Sequence, residues 1–296
     1  MIAQPGSSLR GVGLMTIATL VFVINDTMMK VVTEGLPPFE TLFLRGVAAS
    51  FWSIPLILLT GNRRKIGAIL HPRVLIRNSF DLVAVLFFVA ALAKMPIADI
   101  TAIIQFAPML LLLGVAVFYR EKIGRLRWVL IGVGFGGALM VAQPGGSSFT
   151  VYSLLGLGTA VMTAGRDIVG RRVPAEISGP VVAVGTILLV TFGAATAHLL
   201  LESWVVPSMR HLLLLGGSGL FLMFGHLFVF LAYRSGDIGA TAPFFYTFTI
   251  WALLSGLIVF GTVPNTLALA GMALIIASGV AVALVSERRR KLRVIA

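Results

Sequence analysis

Apolar residues gather into ten long runs along this chain, and charged residues, prolines or glycines separate the runs. Most of the runs approach about 20 residues, the length that an α-helix needs to cross the hydrocarbon core of a bilayer. The pattern therefore predicts an all-α, polytopic membrane protein with ten transmembrane helices. The predicted spans are 9–29, 39–60, 74–94, 99–119, 128–143, 152–170, 178–199, 210–232, 237–260 and 266–285.

The first half of this pattern recurs in the second half. Asp26 and Lys30 close the first span, and Asp167 and Arg171 close the sixth span 141 residues later. Three further matches lie 140 residues apart, namely Phe88-Val89 with Phe228-Val229, Lys94 with Arg234, and Thr101-Ala102 with Thr241-Ala242. Because the copies are an odd number of spans apart, the second copy must cross the membrane in the reversed orientation. We therefore expect two inverted five-helix repeats, a plan that is typical of secondary transporters.

The basic residues assign the two sides of the membrane. With a cytoplasmic N-terminus, 18 of the 23 Lys and Arg residues fall on the cytoplasmic side, and only Lys30, Lys94 and Arg210 fall on the outer side. Positive residues are retained in the cytoplasm, so both termini are expected there. We expect the membrane to be a bacterial inner membrane. The expected parts are a cytoplasmic tail (1–8), a first repeat (9–143), a periplasmic linker (144–151), a second repeat (152–285) and a basic cytoplasmic tail (286–296).

Composition excludes several other classes of protein. The chain is 58% apolar and only 11% charged, with a mean hydropathy of +1.02, whereas soluble domains carry roughly a quarter charged residues. The net charge of +12 is explained by membrane orientation, so no nucleic-acid partner is expected. There is no cysteine, the four histidines form no pair at ligand spacing, and no GxxxxGK[ST] motif occurs. We expect no metal, no cofactor and no use of ATP.

Four charged residues inside the spans are candidates for function, because each is costly in the membrane and should face protein or water. Asp26 and Arg45 lie at similar depth on one side, and Asp81 and Arg166 lie at similar depth on the other. The sequence predicts one ionic contact per side, and the two contacts would open and close alternately. Two alternatives remain: both pairs are permanent, or Asp26 and Asp167 bond the basic residues four positions on, Lys30 and Arg171.

Gln105 and His226 are uncharged polar residues within spans, where such groups either bond neighbouring helices or line a cavity. His226 is the histidine placed to titrate in the membrane near neutral pH, so protons are a candidate partner, although a structural use is favoured.

Two prolines and two aromatic residues complete the candidate site. Pro108 and Pro243 fall in the fourth and ninth spans, where a proline kinks a helix and marks either a hinge or a packing feature. Tyr246 and Trp251 belong to an aromatic stretch that begins after Pro243. Most of that stretch is explained by packing, and these two are the candidates to stack on a substrate.

Several short motifs resemble the EamA domain of the drug/metabolite transporter superfamily. They are Asp26-xxx-Lys30, Phe-Leu-Arg45, Ala91-Leu-Ala-Lys94-Met-Pro96, Pro108, Tyr119-Arg-Glu121-Lys and the glycine-rich fifth span in the first repeat, with Ala232-Tyr-Arg234-Ser and Leu269-Ala-Gly271-Met-Ala-Leu-Ile in the second. The resemblance implies ten helices around a central cavity lined by helices 1, 3, 4, 6, 8 and 9. It also implies alternating access, and amino-acid exporters of the YddG kind are the nearest group.

These observations predict a carrier that exports amino acids, as a monomer or weak dimer in the lipid bilayer. Uptake carriers for metabolites such as S-adenosylmethionine or riboflavin are the alternative within the superfamily. A membrane-embedded enzyme is not favoured, because no span offers paired carboxylates or histidines. A channel is not favoured either, because the internal duplication differs from a pore built by an oligomer.

Overall fold

The computed structural model describes residues 5–59, 61–118, 125–143, 150–170, 172–235 and 242–295. These ranges form eleven α-helices and two short 3₁₀ helices, and no strand occurs among them. The helices are α1 (Pro5–Val32), α2 (Pro38–Leu59), α3 (Pro72–Leu92), α4 (Ile97–Ile104), α5 (Ala107–Phe118), α6 (Arg125–Ala142), α7 (Val151–Gly170), α8 (Gly179–Leu201), α9 (Met209–Ser235), α10 (Thr247–Phe260) and α11 (Thr266–Ile295). The 3₁₀ helices are Arg63–Leu70 and Ala242–Tyr246.

The fold class predicted from the sequence is confirmed, and the eleven helices occupy the ten predicted spans because α4 and α5 share the fourth. Among the described residues, five helices are long and apolar enough to cross a membrane by length and composition. They comprise Leu9–Val32, Pro38–Leu59, Pro72–Leu92, Gly179–Leu201 and Met209–Val229. The other spans are shorter apolar helices, apart from α7, whose 20 residues include Arg166 and Asp167.

Several predicted boundaries need correction. Helix α1 begins at Pro5, so the expected tail 1–8 is partly helical, and α11 continues to Ile295 through most of the expected basic tail. Six of the eight linker residues (144–149) and the first residues of the ninth predicted span lie outside the described ranges. The charged C-terminal part of α11, from Glu287 onward, extends the helix beyond its apolar part, so hydropathy alone does not mark where this helix ends.

Equivalent helices of the two halves contact each other in antiparallel orientation. In α2 and α8, the backbone N–H of Phe39 donates to Glu202 at 2.9 Å, just beyond the end of α8, whereas Gly46 lies against Thr191. In α6 and α11, Gly137 lies against Gly271, and Gln143 bonds Asn265 at 2.8 Å. Residue numbers rise in one helix as they fall in its partner. The two halves are therefore inverted with respect to each other.

Two further pairings follow the same symmetry. Helix α1 packs against α9, with Phe22 near Gly225, and α3 packs against α7, with Phe80 near Gly165. Exchanging the two halves converts one of these pairings into the other. Helix α1 also runs parallel to α10, and two hydroxyl pairs join them, Thr19 with Thr247 at 2.7 Å and Thr27 with Ser255 at 2.6 Å.

The packed core lies toward one end of this bundle. We call the end that holds the start of α1 and the end of α11 the terminal face, and the other end the opposite face. The largest fully buried apolar side chains include Met29 and Val32 of α1, Leu92 of α3, and Ile97 and Ile100 of α4, all in the half near the opposite face. The space for a site is left in the middle and at the terminal face.

Candidate functional site

Two neighbouring cavities lie inside the bundle. A vestibule of about 630 Å³ lies at the terminal face, because its wall includes the connection from Gly170 to Gly179 between α7 and α8. A central cavity of about 240 Å³ lies deeper, among side chains of α1, α2, α3, α4, α7, α8, α9 and the start of α10. Helices α2 and α8, the second and seventh spans, contribute in addition to the six helices that the family resemblance implied.

The wall of the central cavity combines charged, polar and aromatic side chains. Its charged and polar residues are Asn25, Asp26, Arg45, Asp81, Thr101, Gln105, Thr159, Thr163, Arg166, Thr186 and His226. Its aromatic residues are Phe22, Phe88, Phe245 and Phe248. Asp81, Arg166, Thr186 and His226 also line the vestibule, so these four residues separate the two cavities. A mostly apolar wall with a few convergent polar groups is typical of a small-molecule site.

Asp81 is the centre of a polar network between the vestibule and the central cavity. The guanidinium group of Arg166 donates to one carboxylate oxygen of Asp81 at 3.0 Å, and Arg77 donates to the other at 2.9 Å. Arg77 also donates to Thr186 at 2.6 Å, which connects α3 to α8. Asp167 pairs with Nε of Arg166 at 2.8 Å. The structure thus brings Asp81 and Arg166 together, as the sequence predicted.

The other predicted contact, between Asp26 and Arg45, is not made. Among the described residues no ion pair within 4.0 Å involves either side chain. Both line the central cavity, where they interact electrostatically. Asp26 instead accepts a hydrogen bond from Asn25 Nδ2 at 2.8 Å, and Ser218 donates to Asn25 Oδ1 at 2.7 Å.

The contact of Asp26 with Lys30, four residues on, is not made either. Lys30 Nζ donates to the backbone carbonyl oxygens of Leu92 at 2.8 Å and Met95 at 2.6 Å, and lies 5.5 Å from the ring centroid of Phe260. The free carbonyls at the C-terminal end of α3 carry partial negative charge and attract the ammonium group. We call these two bonds the Lys30 latch. The corresponding Arg171 lies outside the described residues, so its predicted contact with Asp167 has no structural account.

Gln105 lies at the break between α4 and α5, and its side chain donates to the backbone carbonyl of Phe245 at 3.1 Å. Phe245 is 140 residues further on and belongs to the 3₁₀ helix that precedes α10. The helical interruptions of the two halves therefore meet at the central cavity. Pro108 is the second residue of α5, where a missing N–H is harmless, so it lies just after the break rather than inside a kinked helix. Pro243 lies within the 3₁₀ helix.

The structure does not place Tyr246 and Trp251 at either cavity. The ring of Tyr246 lies against Gly279 of α11 and belongs to the packed core, and the partly buried Trp251 packs against that core. Phe245 and Phe248 face the central cavity instead. Residues three apart share one face of this segment, so the neighbours of Phe245 point elsewhere. His226 does line the cavity, with its ring centroid 5.4 Å from that of Phe22 in an edge-to-face arrangement.

Sequence reasoning missed several members of the wall. Asn25 precedes Asp26 inside the first span. A second polar residue at the same depth could have indicated that Asn25 also faces the cavity. The excess of cytoplasmic basic residues already accounts for Arg77 as a charge near the membrane surface, although its spacing of four residues from Asp81 indicates a pair on one helix face. The threonines and phenylalanines of the wall carry no signal in the sequence, since such residues are common throughout membrane helices.

Polar contacts close the opposite face. Besides the Lys30 latch, the carboxylate of Glu202 accepts the backbone N–H groups of Phe39 and Glu40 at the start of α2, at 2.9 and 3.0 Å. Glu40 in turn accepts the backbone N–H of Val205 at 3.0 Å. These bonds fasten the connection after α8 onto the start of α2. In this structure the vestibule lies at the terminal face, the central cavity lies deeper behind it, and the opposite face is packed.

Inverted helical halves, interrupted helices and a polar cavity at their interface define a class of protein, the multi-pass membrane transporter. Residues 9–143 match the profile of the EamA-like transporter family. The chain therefore contains a domain of that family, within the drug/metabolite transporter superfamily, as its motifs suggested.

Relatives of known name match nearly the whole chain. The riboflavin transporter of Vibrio cholerae is 27% identical, and the match covers 91% of this chain and 91% of the relative. The pseudopaline exporter CntI of Pseudomonas aeruginosa is 27% identical over 92% of this chain and 95% of the relative. The S-adenosylmethionine uptake transporter of Rickettsia prowazekii is 26% identical over 86% and 85%. These relatives are named as transporters and not as enzymes.

A solved crystal structure shares the fold. Its chain is 18% identical to this one, aligns with a TM-score of 0.66, and the match covers 97% of this chain and 99% of that chain. At this identity the likeness shows the fold alone.

Proposed function

We propose that this protein is a secondary or facilitative carrier that moves a polar metabolite across the bacterial inner membrane by alternating access. The observation that carries the proposal is the central cavity, which lies where the helical interruptions of the two halves meet. Secondary transporters bind their substrates at such interruptions, near the middle of the membrane. The terminal face is assigned to the cytoplasm by the excess of basic residues on that side.

The proposed substrate joins an aromatic ring to charged or hydrogen-bonding groups. Phe245 and Phe248 have ring centroids 6.0 Å apart, and Phe22 lies 6.4 Å from Phe248, so the wall offers stacking surfaces beside its charged groups. Riboflavin and S-adenosylmethionine, for which two of the relatives are named, both have this character. The relatives reported above support a metabolite carrier, the alternative from the sequence, better than amino-acid export.

The closed opposite face and the vestibule at the terminal face correspond to a cytoplasm-facing state in the proposed cycle. Rocking of the two five-helix halves would move Phe260 away from the Lys30 latch, break the bonds of Glu202 to the start of α2 and close the vestibule. Coupling to protons through His226 stays a prediction, as does a monomeric or weakly dimeric state.

Counterflow in proteoliposomes tests this function. The full chain is reconstituted with unlabelled S-adenosylmethionine, riboflavin or single amino acids inside, and entry of the same labelled compound is followed. We expect saturable exchange of a ring-bearing metabolite. Exchange of simple amino acids alone, or of no compound, would contradict the substrate class. Unsaturable flux would indicate a channel, and chemical conversion of the compound would indicate an enzyme.

A further inference from the structure

Arg45 stands out among the charged residues of the central cavity. Its side chain belongs to α2, lines the cavity and is only 7% exposed. Its Nε atom is buried without a partner. Its guanidinium group forms no hydrogen bond or ion pair with any residue within the described ranges. A guanidinium group offers five donors, so this is a large unmet bonding capacity.

The neighbouring arginines show what a satisfied guanidinium looks like here. Arg77 and Arg166 each donate to Asp81, at 2.9 and 3.0 Å, and each has at least one further hydrogen-bond acceptor. A buried guanidinium group whose donors have no acceptor is strongly unfavourable, even beside the electrostatic interaction with Asp26. The simplest physical reason to keep Arg45 in this condition is that a ligand completes its bonding.

Asp26 supplies the complementary group in the same cavity. One of its carboxylate oxygens accepts the hydrogen bond from Asn25, and Ser218 fixes the orientation of that amide. The second oxygen has no hydrogen-bond partner among the described residues. The cavity therefore presents an acid and a base that do not neutralise each other by direct contact.

We infer that Arg45 binds a carboxylate group of the transported metabolite and that Asp26 binds its ammonium group. The planar fork of arginine matches the two oxygens of a carboxylate. A zwitterionic group gives both residues a partner and adds no net charge to the membrane interior. This inference rests on the proposed function and narrows its substrate class: it favours a metabolite of the S-adenosylmethionine type over riboflavin, which has no carboxylate.

A matched pair of probes tests Arg45 directly. Binding of S-adenosylmethionine and of its decarboxylated form is measured on the purified full chain in nanodiscs, by calorimetry or by the shift in melting temperature. We expect the carboxylate to increase affinity by about 10- to 100-fold in the native chain, as a charge-assisted hydrogen bond does. In Arg45→Gln the two probes should bind equally weakly, and Arg45→Lys should retain only part of the difference.

Two controls separate recognition from folding. Arg210→Gln removes an exposed arginine from the start of α9 and should leave the preference for the carboxylate unchanged. Arg45→Gln without ligand should keep a cooperative melting transition, because within the described ranges Arg45 has no hydrogen bond or ion pair to lose.

The possible results are distinct. Equal affinity for the two probes in the native chain, or a preference that survives Arg45→Gln, overturns the inference and leaves the carrier function standing. Exchange of riboflavin without binding of either probe does the same. A chain that binds and exchanges no compound overturns the inference together with the proposed function.

Discussion

Asp81 holds two arginines that belong to different halves of the protein. Arg77 approaches from one turn earlier on α3, and Arg166 approaches from α7. The side chain of Asp81 is only 9% exposed, so water cannot take the place of its carboxylate beside the two guanidinium groups. The residue is therefore the point at which the first and second repeats are joined beside the cavities.

Asp81→Asn is expected to lower the free energy of unfolding by about 3 kcal/mol, because removing one partner leaves buried charges unpaired. Denaturation of the purified protein in detergent measures the change. Asp167→Asn is the matched control, since Asp167 also pairs with Arg166 but its side chain is 39% exposed; there we expect about 1 kcal/mol or less. Equal losses in the two variants would argue against a central role for Asp81.

At the scale of helices, small residues determine how closely the elements approach. Gly219 of α9 lies so close to α2 that a Cβ atom there would stand 2.7 Å from the backbone nitrogen of Ala49. Gly216 is on the same helix, less than one turn away, and a Cβ atom there would meet nothing within 4 Å.

We therefore expect Gly219→Ala to push α2 and α9 apart and to destabilise the fold by about 1–3 kcal/mol, the usual cost of overpacking. Gly216→Ala should be neutral or stabilise the helix by up to about 1 kcal/mol, because alanine is the better helix former. Melting temperatures of both variants in the same detergent make the comparison. A loss at position 216 as large as that at 219 would show that the contact with Ala49 is not the cause.

The sequence predicted the helices well because membrane spans follow from hydropathy alone, and the inverted order followed from the recurrence of Asp26-Lys30 as Asp167-Arg171. The break at Gln105 was harder to predict. Pro108 marks the region, but a proline is compatible with both a kink and the first turn of a new helix. In the structure Pro108 lies in the first turn of a new helix, and the break before it places the Gln105 side chain beside the carbonyl of Phe245.

The candidate site was predicted in part, for reasons that differ between residues. Asp26, Asp81, Gln105, Arg166 and His226 line the cavity because a polar group inside a span must avoid lipid. Tyr246 could not be distinguished from Phe245, because the 3₁₀ turn changes which neighbour faces inward. The similar depth of Asp26 and Arg45 in the membrane was likewise not enough to predict whether they form an ion pair. The distance between them also depends on how α1 and α2 pack side by side.

At the scale of the whole molecule, the protein is open toward one face and fastened at the other. The Lys30 latch ties α1 to the end of α3, and the Phe260 ring at the end of α10 lies beside it. All three helices contribute side chains to the packed core near the opposite face. To open this face, either Phe260 of the second half must move away from Lys30 or α1 must move away from α3 within the first half.

Lys30→Met is expected to favour the state that is open at the opposite face. The methionine keeps most of the side-chain bulk but loses both hydrogen bonds and the attraction of the ammonium group to the Phe260 ring of the other half. Lys94→Met is the control, since Lys94 lies at the same face and is exposed. The shift is measured as faster modification of a cavity position from the opposite face. An unchanged rate in Lys30→Met would show that the latch does not hold that face closed.

The central claim is that one cavity, enclosed by inverted halves, is reached from one face at a time. Side-specific labelling of Thr163→Cys tests it most directly, because Thr163 lines the central cavity and the chain has no cysteine of its own. A small, membrane-impermeant methanethiosulfonate reagent is applied to sealed vesicles of each orientation. We predict modification from the terminal face in the otherwise native chain, and a gain of modification from the opposite face when Lys30→Met is added. Equal modification from both faces in the presence of Lys30, or from neither face in any variant, would contradict the account.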